Sequence, residues 1–279
     1  MQLFGVPAFA RPSLSPATMV HWLNNLPNFV ISLLFGLVGA GLAAGVPFFR
    51  EKLLRIQVSG DHAEAARGAL DVVIYLTGLV LAFSFIRAQG DQRNLETQVG
   101  TEAHNLAQMD RLLLRYGDPG NGSIRVSLRD YADSIVRDEW PELRKGRSSQ
   151  RTAALFRPIS RSILAMEPGP GRQSLIYAEM LKKADELAAD RETRVVAAAQ
   201  LELPSVFWLT ITFLLVILLV LATFTEATLG RAMALGGLGF GIALLVALVF
   251  AFDEPFKGET SVSPKPIINA VAEMQARKE

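Results

Sequence analysis

The chain contains no cysteine. That excludes disulfides, thiol nucleophiles and cysteine-ligated metals, and leaves the redox compartment open. Histidine is nearly as scarce: His21, His62 and His104 are scattered, with no pair at the helical spacing of a metal site. Charge of one sign is also missing, since 28 Lys and Arg against 27 Asp and Glu leave a net charge of +1. Nucleic acid is therefore excluded as the main partner, because phosphate binding needs an excess of basic residues. There is no Walker loop, HExxH, EF-hand loop or Gly-x-Ser-x-Gly. The acidic residues of the central region alternate with Arg and Lys, as on a solvated helical face. No catalytic residue, metal or cofactor is expected, and the chain does not read as an enzyme. The N-terminus lacks a basic n-region and its first long apolar run starts near Phe29, so no cleaved signal peptide is expected.

What is present is hydrocarbon in long runs. Half of the residues are hydrophobic. Residues 29–49, 72–86, 204–224 and 232–252 carry no charge, and the second run reaches membrane length if it extends from Ala69 to Ala88. A helix rises about 1.5 Å per residue, so roughly 20 apolar residues cross a ~30 Å hydrocarbon core. The runs form two pairs around a polar block. They predict an all-α integral membrane protein with four transmembrane helices in two pairs flanking a helical extramembrane domain. The expected organisation is an N-terminal interfacial segment over 1–28, helix pairs over 29–88 and 204–252, a helical domain over 89–203 and a C-terminal tail over 253–279.

Inside the polar block, apolar spacing predicts helices over 91–116, 123–140, 152–166 and from Arg172 toward Leu203. Glycine and proline clusters at 117–122 and 167–171 break them. The last helix is expected to lead straight into the third membrane segment, with Pro204 at the entry or at a kink. No breaker separates Ile86 from Tyr116. Gly36, Gly39, Gly41 and Gly45 in the first membrane segment, and Gly236, Gly237, Gly239 and Gly241 in the fourth, read as packing residues. Gly41-xxx-Gly45 in particular has the spacing that lets helices approach closely.

Polar groups inside a bilayer are costly and point to function. At ~100° per residue, Val73, Thr77, Val80, Ser84, Arg87 and Asp91 share one face of the second segment, beside a bulkier stripe of Tyr75, Leu79 and Phe83. A small, partly polar face ending in charge suits a narrow pore, with Val80 as its constriction and Arg87 favouring anions. The competing assignment is that Thr77 and Ser84 bond carbonyls of their own helix or of a neighbour. Burial of this face within one protomer would favour a non-conducting, membrane-anchored interaction or sensory module.

The fourth segment ends in Phe252-Asp253-Glu254-Pro255-Phe256-Lys257-Gly258-Glu259. This resembles the Asn/Glu-Pro-Phe-Gly segment that follows the last membrane helix of bestrophins. Further matching pieces are 83–87, Thr101-Glu102-Ala103, Arg129-Asp130-Tyr131, Glu139-Trp140-Pro141 and Arg191-Glu192-Thr193-Arg194. In order and spacing they resemble the bacterial bestrophin-like family known as DUF4239, over roughly residues 65–275. The resemblance implies a homo-oligomer, a pentamer, whose second helices line a pore for small ions, chloride among them. It also implies a bacterial inner membrane location, with the helical domain and both termini in the cytoplasm. Positive charges by themselves are divided, Arg50, Lys52, Arg55 and Arg67 opposing Arg87, Arg93, Arg191 and Arg194. Lys257 interrupts Pro-Phe-Gly, and Thr-Ser-Val-Ser-Pro follows Glu259 where animal bestrophins carry an acidic calcium clasp, so calcium gating is not implied. The segment with Asp253, Pro255, Phe256 and Gly258 is expected to dock on the helical domain, with Arg191 or Arg194 as the partner of Asp253.

Overall fold

The structure, a computed structural model, describes residues 27–54, 60–118, 120–200 and 203–277. All but two residues of the N-terminal segment expected over 1–28 lie outside them. Every regular element among the described residues is helical. Four helices are long and apolar enough to cross a membrane. They are α1 (Asn28–Phe49), the upper part of α2 (Gly60–Tyr116), α7 (Ser205–Ala222) and α8 (Leu229–Asp253). The block between the pairs comprises the lower part of α2, α3 (Asn121–Ser134), α4 (Trp140–Leu143), α5 (Gln150–Leu164) and α6 (Arg172–Gln200). A last helix, α9 (Lys265–Ala276), packs on α2 and α3.

α2 runs 57 residues without interruption, about 85 Å at 1.5 Å per residue. Two helices expected from separate apolar patterns are thus one rod, which leaves the bilayer and enters the polar block with no joint. It stops at Gly117, whose φ of +77° suits a residue without Cβ. The other junction differs. α6 ends at Gln200, and Leu203 and Pro204 are non-helical before α7 begins at Ser205. The expected straight run is broken there. Proline cannot donate a backbone bond and disfavours helix in the residue before it. Asp253 satisfies the break, its carboxylate accepting from the Leu203 amide at 2.6 Å and the Trp208 indole at 3.2 Å.

α1 and α8 make the most extensive contact in the molecule, and glycine sets it. A Cβ on Gly39 would lie 2.5 Å from Ala243 Cβ, and one on Gly239 would lie 2.5 Å from the Gly39 carbonyl oxygen. Gly36 sits under the Phe240 ring. Gly41 and Gly45, the pair singled out by spacing, have nothing within 4 Å, and neither do Gly237 and Gly241. The small-residue stripe is real, but it lies on the 36/39 face.

The main core is outside the membrane. Leu95, Leu106, Leu113, Leu128, Tyr131, Ile163 and Met180 are all buried there. The tail adds to it: Phe256 is buried against the Trp140 ring, with centroids 5.6 Å apart and planes at 76°. Between the membrane helices a second, smaller cluster of Leu81, Ile211, Val246 and Val249 is buried, together with helix-crossing positions such as Ala43, Leu70, Thr77, Leu218 and Ala247, while much of their outer surface remains open.

Candidate pore helix and buried charge cluster

The faces of α2 are sharply distinguished by burial. Leu70, Thr77, Leu81, Ala88, Leu95 and Val99 turn into the protomer. Val72, Tyr75, Leu76, Leu79, Phe83 and Ile86 form the opposite, uncovered stripe, with Tyr75 77% and Phe83 65% exposed. Below Ile86 the open face turns polar, with Arg87, Arg93, Asn94, Thr97, Thr101 and His104 all exposed. The Arg87 side chain is 69% exposed and approaches Asp91 at 3.8 Å.

The small, partly polar face expected to line a lumen is a flank of this helix. Thr77 is 0% exposed, and its hydroxyl donates to the Val73 carbonyl at 2.7 Å. Ser84 donates likewise to Val80 at 2.8 Å. Val73, Val80, Ser84 and Asp91 are half-buried. Thr77 therefore faces the protomer interior rather than water. The hydroxyls serve the backbone of their own turn, a bond open to any helical Ser or Thr four residues after a carbonyl. Of the six residues, Arg87 alone lies fully on the open side.

The second constellation is a charge cluster in the extramembrane core. Arg194 on α6 is 1% exposed and donates to Glu102 on α2 and, at 2.5 Å, to Glu139. Arg191, one turn earlier, donates to the other Glu139 oxygen at 2.5 Å and to the Ser149 carbonyl. Glu139 ends a π-helical turn, Ile135–Glu139, that closes on the Ile135 carbonyl through the Trp140 amide. The added residue in that turn carries Glu139 and Trp140 to α6, where Arg194 stacks 5.9 Å from the Trp140 centroid. Burial raises the Glu139 carboxyl above the usual range, opposed by Arg191. Burial also pushes up the Tyr131 phenol and lowers the Arg194 guanidinium. Both arginines expected near Asp253 are thus committed to glutamates. Asp253 takes the Leu203 and Trp208 N–H groups instead, because it lies at the α6–α7 break.

Asp110 anchors a third group. It is fully buried and accepts from Arg125 at 2.9 Å and from Arg277 at 3.2 Å, tying α9 to α2 and α3. Sequence reasoning missed Asp110 as a hub. A lone acid among arginines carries no signal of burial, and only its place on the apolar 106/109/113 face could have suggested it. Among the described residues no group of three His, Asp or Glu side chains could hold a metal ion.

Comparison with known proteins gives these features a context. A family model described as bestrophin-like domain matches residues 36–267. The crystal structure of a bacterial bestrophin homologue from Klebsiella pneumoniae superposes with a TM-score of 0.58 at 15% identity, covering 90% of this chain and 100% of that one. A point variant of that homologue gives a TM-score of 0.60 at 15% identity, covering 89% of this chain and 99% of that one. No curated protein matches the sequence. The segments around Glu102, Glu139 and Arg191 to Arg194, which carried the resemblance, converge in a single buried cluster. With its four membrane helices, its helical block and a family match over most of its length, the chain belongs to the bestrophin-like family.

Proposed function

We propose that the chain is one subunit of a homo-oligomeric channel, pentameric as in the bestrophins it resembles, that conducts small anions such as chloride. The observation that carries this reading is the open face of α2. It is left largely uncovered by its own protomer from Val72 to His104, apolar through the membrane and polar with two arginines beyond it. Copies arranged about an axis with these faces inward would make an apolar constriction at Leu79, Phe83 and Ile86. Arg87 would follow at its mouth, and a polar vestibule with Arg93 and His104 would open below. Hydrophobic constrictions gate by dewetting, and rings of charged side chains set the local field. The lining is therefore reassigned from the Thr77 flank to the 79/83/86 stripe. We place the helical block and both termini in the cytoplasm, following the family resemblance.

Burial of Thr77 favours the alternative, a non-conducting anchored module, because it removes a hydroxyl from the face expected to line the pore. Chloride flux from liposomes containing purified protein separates the two. Flux above that of empty liposomes supports the channel, and its absence at confirmed reconstitution returns the protein to the anchored module.

A further inference from the structure

A cavity of about 370 Å³ lies between α1, α7 and α8 and the start of α2. Its lining consists entirely of Leu, Ile, Val, Ala, Phe and Gly, with Val38, Ala43, Leu70, Leu218, Ala222 and Ile242 spread over the four helices. It runs from the middle of the membrane, at Phe35 and Val246, toward the end away from the helical block, where α1 continues as a π-helical stretch over Arg50–Leu54 and the chain turns after Ala222. It is open on one side, where Leu34, Val38 and Leu42 are exposed, and a wholly apolar pocket does not hold water. In a bilayer, the apolar filler at hand is an acyl chain.

Arg50 is not part of this lining but lies beyond its Ala222 end. It follows the buried positions Gly36, Ala43 and Pro47 on the inner face of α1, two turns or about 10 Å beyond Ala43. It is 8% exposed. One Nη donates to the Thr223 carbonyl at 2.6 Å, next to the cavity residue Ala222, and caps the C-terminal end of α7. That uses one of five guanidinium donors. The buried Nε has no partner, and no carboxylate pairs with Arg50 among the described residues. The nearby Glu226 is paired with Arg231 at 2.9 Å. A buried cation without a counter-ion is costly, and an ionisable side chain at a membrane helix end marks a site. Basic pockets between membrane helices recognise anionic headgroups.

We propose that this cavity and Arg50 together bind one anionic phospholipid per protomer. An acyl chain fills the apolar void between α1, α7 and α8, and the headgroup phosphate takes the free Arg50 donors. An apolar void capped by an unneutralised cation matches a molecule that is hydrocarbon at one end and anionic at the other.

The test uses delipidated full-length protein in detergent, titrated with dioleoyl phosphatidylglycerol, dioleoyl phosphatidylcholine or inorganic phosphate. Native mass spectrometry reads the ligand retained per protomer. Phosphatidylglycerol should be retained at one per protomer, and at least tenfold more tightly than phosphatidylcholine. Inorganic phosphate should not compete with it. Arg50→Gln should weaken phosphatidylglycerol retention about tenfold, the scale of a lost charge-assisted hydrogen bond, and Arg50→Lys should restore part of it. Val38→Trp, which crowds the groove from its open side and leaves the charge, should weaken it as well. Equal retention of the two lipids by the unaltered protein overturns the headgroup assignment. Competition by inorganic phosphate at similar concentration reduces the site to a free-anion site and overturns the acyl-chain assignment. A photo-reactive residue in place of Leu42, an exposed lining position, should capture lipid; capture of a second copy of the chain instead would show that a neighbouring protomer fills the cavity and would overturn the proposal. The unaltered protein decides the matter even if the variants fail to assemble.

Discussion

At the residue scale, two arginines show how position decides what a charge does. Arg194 is enclosed by Glu102, Glu139 and Trp140 and is only 1% exposed. Removing it leaves two buried carboxylates facing each other with only Arg191 to compensate. Breaking a buried pair from one side costs about 3–5 kcal/mol, so Arg194→Met should lower thermal stability in detergent by that amount. Arg137→Ala, on an exposed surface pair with Asp133, should change it by less than about 0.5 kcal/mol. Equal shifts for the two variants would remove the cluster's structural role. Arg87 lies at the other extreme, with most of its side chain in the open. A ring of such side chains sets the field at a pore mouth, so Arg87→Glu should move the reversal potential of reconstituted protein from anion toward cation selectivity. Unchanged selectivity would place Arg87 away from the conduction path.

At the element scale, the rod α2 and the α1–α8 crossing carry separate predictions. The crossing depends on two glycines in backbone contact. A methyl group at 39 meets Ala243 and Gly239, while one at 41 meets nothing. Gly39→Ala should destabilise the protein by about 1–3 kcal/mol, the usual range for overpacking. Gly41→Ala should be neutral or slightly stabilising, since it adds no clash and improves helix propensity. Thermal unfolding followed by tryptophan fluorescence gives the comparison, and a cost at 41 equal to that at 39 would mean the two helices cross on a different face. For α2, the chain's lack of cysteine makes every introduced thiol unique. Water-soluble thiol reagents should modify single cysteines placed at 79, 83 and 86 and spare those at 77 and 81. The inverse pattern would return the lining to the Thr77 flank.

At the scale of the whole molecule, the distribution of burial argues for assembly. The extramembrane block has a continuous core, whereas the membrane helices bury few residues and leave Phe29, Tyr75, Phe83, Val206, Phe213 and Met233 open. Lipid can cover those faces without cost, but the polar lower stretch of α2 with Arg93, Thr97 and His104 needs water or a partner. Copies of the chain meeting along α2 satisfy both. Cross-linking or native mass spectrometry should show a closed homo-oligomer. A monomer in mild detergent, in lipid nanodiscs and under cross-linking would set the channel reading aside.

The sequence by itself determined the membrane class and the number and order of the spanning helices. Each follows from composition and run length, because roughly 20 uncharged residues in water have nowhere else to go. It also held the segments that mark the family, since Glu102, Glu139, Arg191 and Arg194 are readable as short motifs without their contacts. Only the tertiary structure decided which face of α2 the protomer buries. The small face at Thr77 and the bulky one at Phe83 are both compatible with a pore in one dimension. The choice depends on where α7 and α8 pack, through Leu81 against Ile211 and Val249. The same is true of the glycines. A stripe of small residues shows that some face is close-packed, but the partner helix selects 36 and 39 over 41 and 45. Asp253 was legible as a buried acid needing a donor. That Leu203 and Trp208 donate to it follows from the break at Pro204, which leaves the Leu203 amide beside it, while Arg191 and Arg194 bond Glu139.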